Sequence, residues 1–293
     1  MSPIPRDRFV VSLIDAINLR HGTSYHLLTP TDAGESHSAY LLEDRNGKRC
    51  ILKFGYGVEF NPEFAASVTT RLRVLGYPAP AYAEIGEHNR WTYAVQEQLP
   101  GVPARQEIFT HSILDEAIEL SRMHQLREPP NDDWHAELCR SVLVGYENYC
   151  RVDSLRTHSA ETLRVLDAAQ QAAAAPRDNS SPTGDIVHWD FNQGNVLIAG
   201  EHITGVIDWE GVRVGDACFD LVTLLFYGYR DARVRTRLLR ELCERSSGSA
   251  IRLYAAHMIV RQIDWSIRNH TPGQVAYFLK TADRMLRDLA TLT

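Results

Sequence analysis

The sequence predicts an α+β chain built in two successive parts, an antiparallel sheet with one helix first and a mainly helical part after it. Three observations predict this. Short apolar alternations punctuated by Asn46-Gly47 run through the first hundred residues, the periodicity turns helical beyond Leu99-Pro100-Gly101, and strand signals bracket a crowded acidic loop at 185–208. The Pro-Gly break is the natural boundary, so the expected division is 1–98 and 99–293.

Between Asp7 and Arg20 the residues Phe9, Val10, Leu13, Ile14 and Ile17 recur at helical spacing, and His21-Gly22 ends the run, which predicts a packing helix. Strand signals follow at 25–28, 38–43 and 49–54. The Asn46-Gly47 pair between the last two is a strong hairpin turn, because both residue types tolerate positive φ. A helix is expected within 62–75, closed by Gly76-Tyr77-Pro78-Ala79-Pro80, where proline cannot continue it. Strands at 81–85 and 91–98 lead to the break. Beyond it Ile113, Leu114, Ala117, Leu120 and Met123 mark a helix, 134–149 and 155–175 read as two more, and 172–184 is a low-complexity link. Helical segments are then expected at 218–229, 234–245, 250–269 and 272–289.

The stretch DIVHWDFNQGNVLIAGEHITGVIDWEGVRVGDACFDL, 185–221, carries the chemistry. Phosphoryl transfer asks a protein for a carboxylate that orients the attacking hydroxyl and accepts its proton, and for oxygen ligands to Mg2+. Asp190 lies where a base would face an acceptor, Asn195 five residues on offers an amide oxygen to a hard cation, and Asp208 offers a carboxylate at a strand end. One Asp alone would be a turn former. The order His188, Asp190, Asn195, Asp208 at this spacing argues for more.

Here the chain resembles the aminoglycoside phosphotransferase family, small-molecule kinases of protein-kinase-like fold. The match is to H-x-D-x-x-x-x-N followed by Ile-Asp, and Gly215-Asp216-Ala217-Cys218-Phe219-Asp220-Leu221 is similar to the family's G-D-x-x-x-D-L. The resemblance covers most of the chain and is strongest at 185–221. It implies two lobes, a small antiparallel-sheet N-lobe at 1–98 with the hinge and a mainly helical C-lobe carrying the catalytic loop and acceptor pocket. It implies Asp190 as catalytic base, Asn195 and Asp208 as Mg2+ ligands, His188 as a support, and Asp216 as the brace of the loop. Trp189 stands where relatives usually carry Gly, and Phe191-Asn192-Gln193 replaces the common Leu-His-Pro.

For the nucleotide, an ammonium such as Lys53 among apolar strand residues needs water or an anionic partner. The resemblance supplies two partners, the α and β phosphates and a Glu of the next helix, with Glu63 the candidate and Glu59 its rival. The loop 31–38 would cover phosphates with backbone N–H groups and the hydroxyl of Ser36. The backbone from Gln96 to Gln98 would meet the adenine edge. The implied reaction moves the γ-phosphoryl of ATP, with GTP as the other candidate, to a hydroxyl of a small cationic molecule. Antibiotic inactivation is the leading reading, with an aminoglycoside or a tuberactinomycin-type cationic peptide as acceptor. The alternatives are a metabolic kinase acting on an amino alcohol or sugar and a nucleotide-binding scaffold without catalysis.

Composition narrows the field. With 293 residues, 44% of them hydrophobic, the chain can bury proper cores, and its net charge of -6 speaks against nucleic acid as a partner. No run approaches the ~20 apolar residues of a membrane span, and the N-terminal stretch lacks a cleavage site. Five scattered cysteines without C-x-x-C spacing predict reduced thiols in a cytoplasm, and no zinc site. A monomer or homodimer is expected. Asp231, Glu241, Glu244 and Asp264 are candidate receivers of a substrate ammonium, and Trp209, Tyr227 and Trp265 candidate ring partners set against a core role.

Overall fold

The computed structural model describes residues 6–30, 39–57, 60–147, 149–176 and 182–292. The chain forms two compact units, each assembled from separate stretches: Met1–Arg105 with Gly194–Val212, and Gln106–Gln193 with Arg213–Thr293. This grouping differs from a single break near residue 98, because a hairpin from the acidic stretch hydrogen-bonds into the N-terminal unit.

In the first unit, α1 (Arg6–His21) precedes the strands β1 (His26–Pro30), β2 (Ala39–Glu43), β3 (Arg49–Gly55), β4 (Tyr82–His88) and β5 (Trp91–Glu97), with α2 (Pro62–Val74) between β3 and β4. These strands form one antiparallel sheet ordered β1-β2-β3-β5-β4. The β2–β3 turn closes as predicted, with Gly47 at φ 77° and the Asp44 carboxylate accepting from the backbone N–H groups of Asn46 and Lys48. Val10, Leu13, Ile14 and Ile17 of α1 pack on Tyr40, Leu42, Leu52, Phe54, Tyr93 and Val95 of the sheet, so the apolar stripe is spent on packing. A separate three-stranded sheet joins β6 (Val102–Pro103) to the hairpin of β8 (Val196–Ala199) and β9 (His202–Val206). The N–H of Val206 also donates to the Pro78 carbonyl, tying the hairpin to the proline-rich connector after α2.

The second unit carries α3 (His111–Arg122), α4 (Trp134–Leu143), α5 (Val152–His158), α6 (Ala160–Ala174), α7 (Cys218–Gly228), α8 (Ala232–Arg245), α9 (Gly248–Asn269) and α10 (Pro272–Leu289). Its short strands β7 (Asp185–Val187) and β10 (Arg213–Gly215) pair antiparallel. Two sequence expectations are corrected here. The helix expected over 134–149 stops at Leu143, because Gly145 takes φ 78° with its Cα hydrogen against the Cys150 carbonyl, where a Cβ would sit 2.5 Å away. The helix expected over 155–175 is two helices, because the Ser159 side chain accepts from the Thr162 N–H and its extended backbone restarts the chain as a capping box. Residues 177–181 of the low-complexity link lie outside the described residues. No helix among the described residues is long and apolar enough to cross a membrane.

Candidate active site

In the N-terminal unit, Lys53 sits on β3 between strands β2 and β5, 8% exposed. Its ammonium donates to Asp208 Oδ1 at 2.7 Å and to Glu210 Oε2 at 2.8 Å. Burial alone would push the Lys53 pKa down, but the Asp208 and Glu210 carboxylates outweigh it and hold the ammonium charged. Glu210 is buried, and its second oxygen accepts from the Tyr82 hydroxyl at 3.1 Å. Burial raises the Glu210 carboxyl, with the Lys53 charge acting against it. Glu63, the sequence candidate for the Lys53 pair, is exposed on the first turn of α2, so the pair assigned to it belongs in this structure to Glu210. The physical reason is that Asn61, which caps α2, donates its N–H to the Glu210 carbonyl, and this brings the Glu210 turn rather than Glu63 to the lysine. Glu59 and Ser36 lie outside the described residues.

Asn195 immediately precedes β8 and Asp208 follows β9 by two residues. The Ile207 N–H donates to the Asn195 carbonyl at 2.9 Å, so both candidate ligands stand at the same open end of one hairpin. Asp208 takes a left-handed conformation, φ 72° and ψ 50°, which turns its carboxylate out of the strand direction and leaves the side chain half exposed. An amide oxygen and an open carboxylate are donors of the kind Mg2+ uses when phosphates and water complete its shell. Among the described residues no group of three or more His, Cys, Asp and Glu gathers as a protein cage for a metal. Gln96 is buried on β5, its amide oxygen without a partner among the described residues, while Gln98 beyond the strand is exposed.

In the helical unit, the loop that begins at His188 hangs from one buried carboxylate. Asp220, on the first turn of α7, accepts from the His188 N–H at 2.8 Å and the Trp189 N–H at 3.1 Å, and faces His124 Nδ1 at 3.0 Å. The brace is therefore Asp220, not Asp216 as the motif suggested. Asp216 is occupied instead by the Cys218 N–H and the hydroxyls of Ser246 and Tyr254. His188 fulfils its supporting role, its Nδ1 accepting from the Asp190 N–H at 3.3 Å.

Trp189 takes φ 76°, a left-handed backbone that ordinarily favours glycine. Tryptophan is held there by stacking on Phe219, with ring centroids 4.9 Å apart and planes 8° from parallel, and by the Arg213 guanidinium 4.3 Å over its ring. Asp190 is about a third exposed, and the Arg261 guanidinium of α9 donates both to its Oδ1 and to the Trp189 carbonyl. Burial would lower the Arg261 pKa, but the Asp190 carboxylate outweighs it. Arg261 lies 71 residues from Asp190, and no sequence signal singled it out.

Of the four acids named as ammonium receivers, Glu241 and Asp264 are buried and bound to Arg122 and Arg268 respectively. Asp231 caps α8, and Glu244 is exposed. A cavity of about 450 Å³ in this unit has His111, Tyr227, Arg230, Asp231 and Tyr277 among its walls. Trp209 is fully buried, as its core reading required.

A sequence model described as the phosphotransferase enzyme family (APH) matches residues 28–255. The chain belongs to this phosphotransferase family. The reaction class expected from the acidic loop is thus that of its family. No curated protein sequence matches this phosphotransferase. Among solved structures it is similar to a thermostable mutant of aminoglycoside phosphotransferase APH(4)-Ia in ternary complex with ADP and hygromycin B, at 18% identity and TM-score 0.69, covering 96% of this chain and 100% of that one. It is similar to spectinomycin phosphotransferase APH(9)-Ia in complex with ADP and spectinomycin, at 14% identity and TM-score 0.59, covering 94% and 97%. An aminoglycoside phosphotransferase from Alicyclobacillus acidocaldarius aligns at 15% identity and TM-score 0.57, covering 99% and 96%. At these identities the likeness establishes the fold, the kinase-like α+β fold with an antiparallel-sheet N-terminal part and a helical C-terminal part.

Proposed function

We propose that this phosphotransferase moves the γ-phosphoryl group of ATP to a hydroxyl of a small cationic molecule, with antibiotic inactivation as its role. The observation that carries the reading is the meeting of Lys53 and Asp208, 155 residues apart, at 2.7 Å, which joins a phosphate-binding cation to a metal-binding carboxylate. Asp190 orients the acceptor hydroxyl and takes its proton as the new oxygen–phosphorus bond forms and the bond to the departing ADP oxygen breaks. Lys53 holds the α and β phosphates, and Gln96 to Gln98 border the base. Asn195 and Asp208 would hold Mg2+, which when bound neutralises phosphate charge. Asp220 fixes the loop through two backbone N–H groups, so Asp190 needs little reorganisation.

The acceptor class rests on the relatives, which hold hygromycin B and spectinomycin beside ADP, on the net charge of -6, and on the cavity where Asp231 lies with Tyr227 and Tyr277. The work site we assign is the cytoplasm, in keeping with five cysteines that are not joined in disulfides. A second reading, a metabolic kinase for a neutral sugar or an amino alcohol, is favoured by one observation. The Arg261 guanidinium on Asp190, with Arg213 beside Trp189, makes the surroundings of the base cationic, which suits a neutral hydroxyl compound better than a polycation.

Coupled ADP release from ATP, measured against aminoglycosides, cationic peptide antibiotics, sugars and amino alcohols, tests both, with Asp190→Asn as control. Release that depends on one antibiotic class and vanishes in the control is the expected result. Release with a sugar or amino alcohol alone selects the second reading. Binding of Mg-ATP without transfer or hydrolysis for any acceptor would leave only a nucleotide-binding scaffold.

A further inference from the structure

We propose that Glu210, rather than an acid of α2, is the residue that positions Lys53 for the nucleotide phosphates, and that Tyr82 and the start of α2 position Glu210 in turn. The inference rests on the reading of Lys53 as a phosphate ligand. Its grounds are geometric and lie within the N-terminal unit.

Lys53 has two carboxylate partners that are not equivalent. Asp208 is half exposed at the open end of the β8–β9 hairpin, where a bound metal–nucleotide complex would compete for its oxygens. Glu210 is 4% exposed, with both oxygens engaged: Oε2 accepts from the Lys53 ammonium at 2.8 Å and Oε1 from the Tyr82 hydroxyl at 3.1 Å. Its backbone carbonyl accepts from the Asn61 N–H at 3.0 Å, and the Asn61 side chain in turn caps α2 by accepting from the Phe64 N–H. Strand β4 reaches the Glu210 side chain and the start of α2 its backbone carbonyl, so both hold the same residue of the turn after Asp208. A buried ammonium left without its buried carboxylate is strongly disfavoured, and charge-assisted hydrogen bonds of this kind set geometry as well as energy. When Asp208 turns to the metal, Glu210 is the carboxylate that keeps Lys53 in place. Without Glu210 the lysine falls back on Asp208 and competes with the metal for it.

The test is Mg-ATP binding to the full chain by calorimetry, with thermal melting to verify folding, for wild type, Lys53→Met, Glu210→Gln, the double variant, Glu63→Gln and Glu59→Gln. Lys53→Met and Glu210→Gln are each expected to weaken binding by about tenfold or more, the range for losing a hydrogen bond to a charged group. Because Glu210 acts through Lys53, the double variant should bind within about twofold of Lys53→Met, the signature of coupled rather than independent sites. Glu210→Gln should also need more Mg2+ to reach half-maximal nucleotide binding. The variant of Glu63, an exposed acid outside the pair, and the variant of Glu59 should each stay within about twofold of wild type. Wild-type binding in Glu210→Gln, multiplied effects in the double variant, or a loss in Glu63→Gln or Glu59→Gln matching that of Glu210→Gln would each overturn the assignment. Wild-type binding in Lys53→Met would instead remove the phosphate role of the lysine, and the proposal with it. If Glu210→Gln does not fold, Tyr82→Phe decides. Weakened binding is expected in the wild-type background and none in Lys53→Met, and unchanged binding in both refutes the chain of positioning.

Discussion

At the scale of single residues, the two aspartates of the loop should separate cleanly. Asp190→Asn is expected to lower kcat by about 100- to 10,000-fold, the usual contribution of a positioned base, with Mg-ATP affinity nearly intact. Asp208→Asn should weaken metal-dependent nucleotide binding. Equal losses of affinity in the two variants would contradict these roles. Arg261 bonds both Asp190, the proposed base, and the carbonyl before it, so Arg261→Met should lower kcat while sparing nucleotide affinity. The loss should be about tenfold or more, as when a hydrogen bond to a charged group is removed, with partial recovery in Arg261→Lys. A change confined to KM for the acceptor would show that Arg261 contacts substrate instead of holding the base.

The pattern of Asp190, Asn195 and Asp208 could be picked out of the sequence because its spacing is local, and the roles of base and metal ligands given to it are those proposed above. Glu210 and Arg261 could not be picked out this way, since each acquires its role from a partner more than 70 residues away. A hint for Glu210 was present in its place two residues after Asp208, but nothing local distinguishes a lysine partner from a turn acid.

At the scale of elements, capping and close packing carry the second unit. Ser159 both ends α5 and starts α6, and Ser159→Ala should cost about 1 kcal/mol of stability in a urea titration, the usual value of an N-cap. Gly215 on β10 lies against the indole of Trp134, where a Cβ would come within 2.5 Å of a ring atom. Trp134 is buried among Trp189, Phe219 and Tyr254 and cannot withdraw easily. Gly215→Ala should therefore destabilise by about 1–3 kcal/mol through overpacking, and a melting temperature unchanged from wild type would refute this. The same aromatic group packs on Trp189 and offsets its left-handed backbone.

At the scale of the whole molecule, stability should respond to pH through His257, which is fully buried beside Trp189 and faces the Tyr149 hydroxyl at 3.0 Å. Burial, then the Arg261 and Arg213 charges, hold its pKa well below the ordinary 6.5. The unfolded chain takes up a proton near pH 6.5 while the folded chain resists it. The contribution of this group is thus fully present above that value and is lost as the pH falls toward the folded pKa, at no more than about 1.4 kcal/mol per pH unit. Asp185 and Asp216, raised by burial, act in the opposite sense: their contribution is present below the ordinary 3.8 and is lost as the pH rises through the raised values. Denaturation curves of wild type and His257→Gln between pH 7.5 and about pH 5 isolate the histidine, because the carboxyls are common to both. Parallel pH dependence in the two proteins would exclude His257 as the source.

By itself the sequence determined what depends on near neighbours. Helical and strand periodicities, the Asn46-Gly47 turn, proline stops and the five-residue step from Asp190 to Asn195 act over a few residues, where backbone sterics and hydrogen bonding leave little choice. Tertiary structure alone decided which carboxylates meet Lys53, that Asp220 rather than Asp216 suspends the loop at 188–190, and that Arg261 reaches Asp190. Those pairings join residues on separate elements. They are set by strand register and helix docking, which the whole chain establishes together when it buries its apolar surface, and buried charges take the partners that this packing leaves within reach.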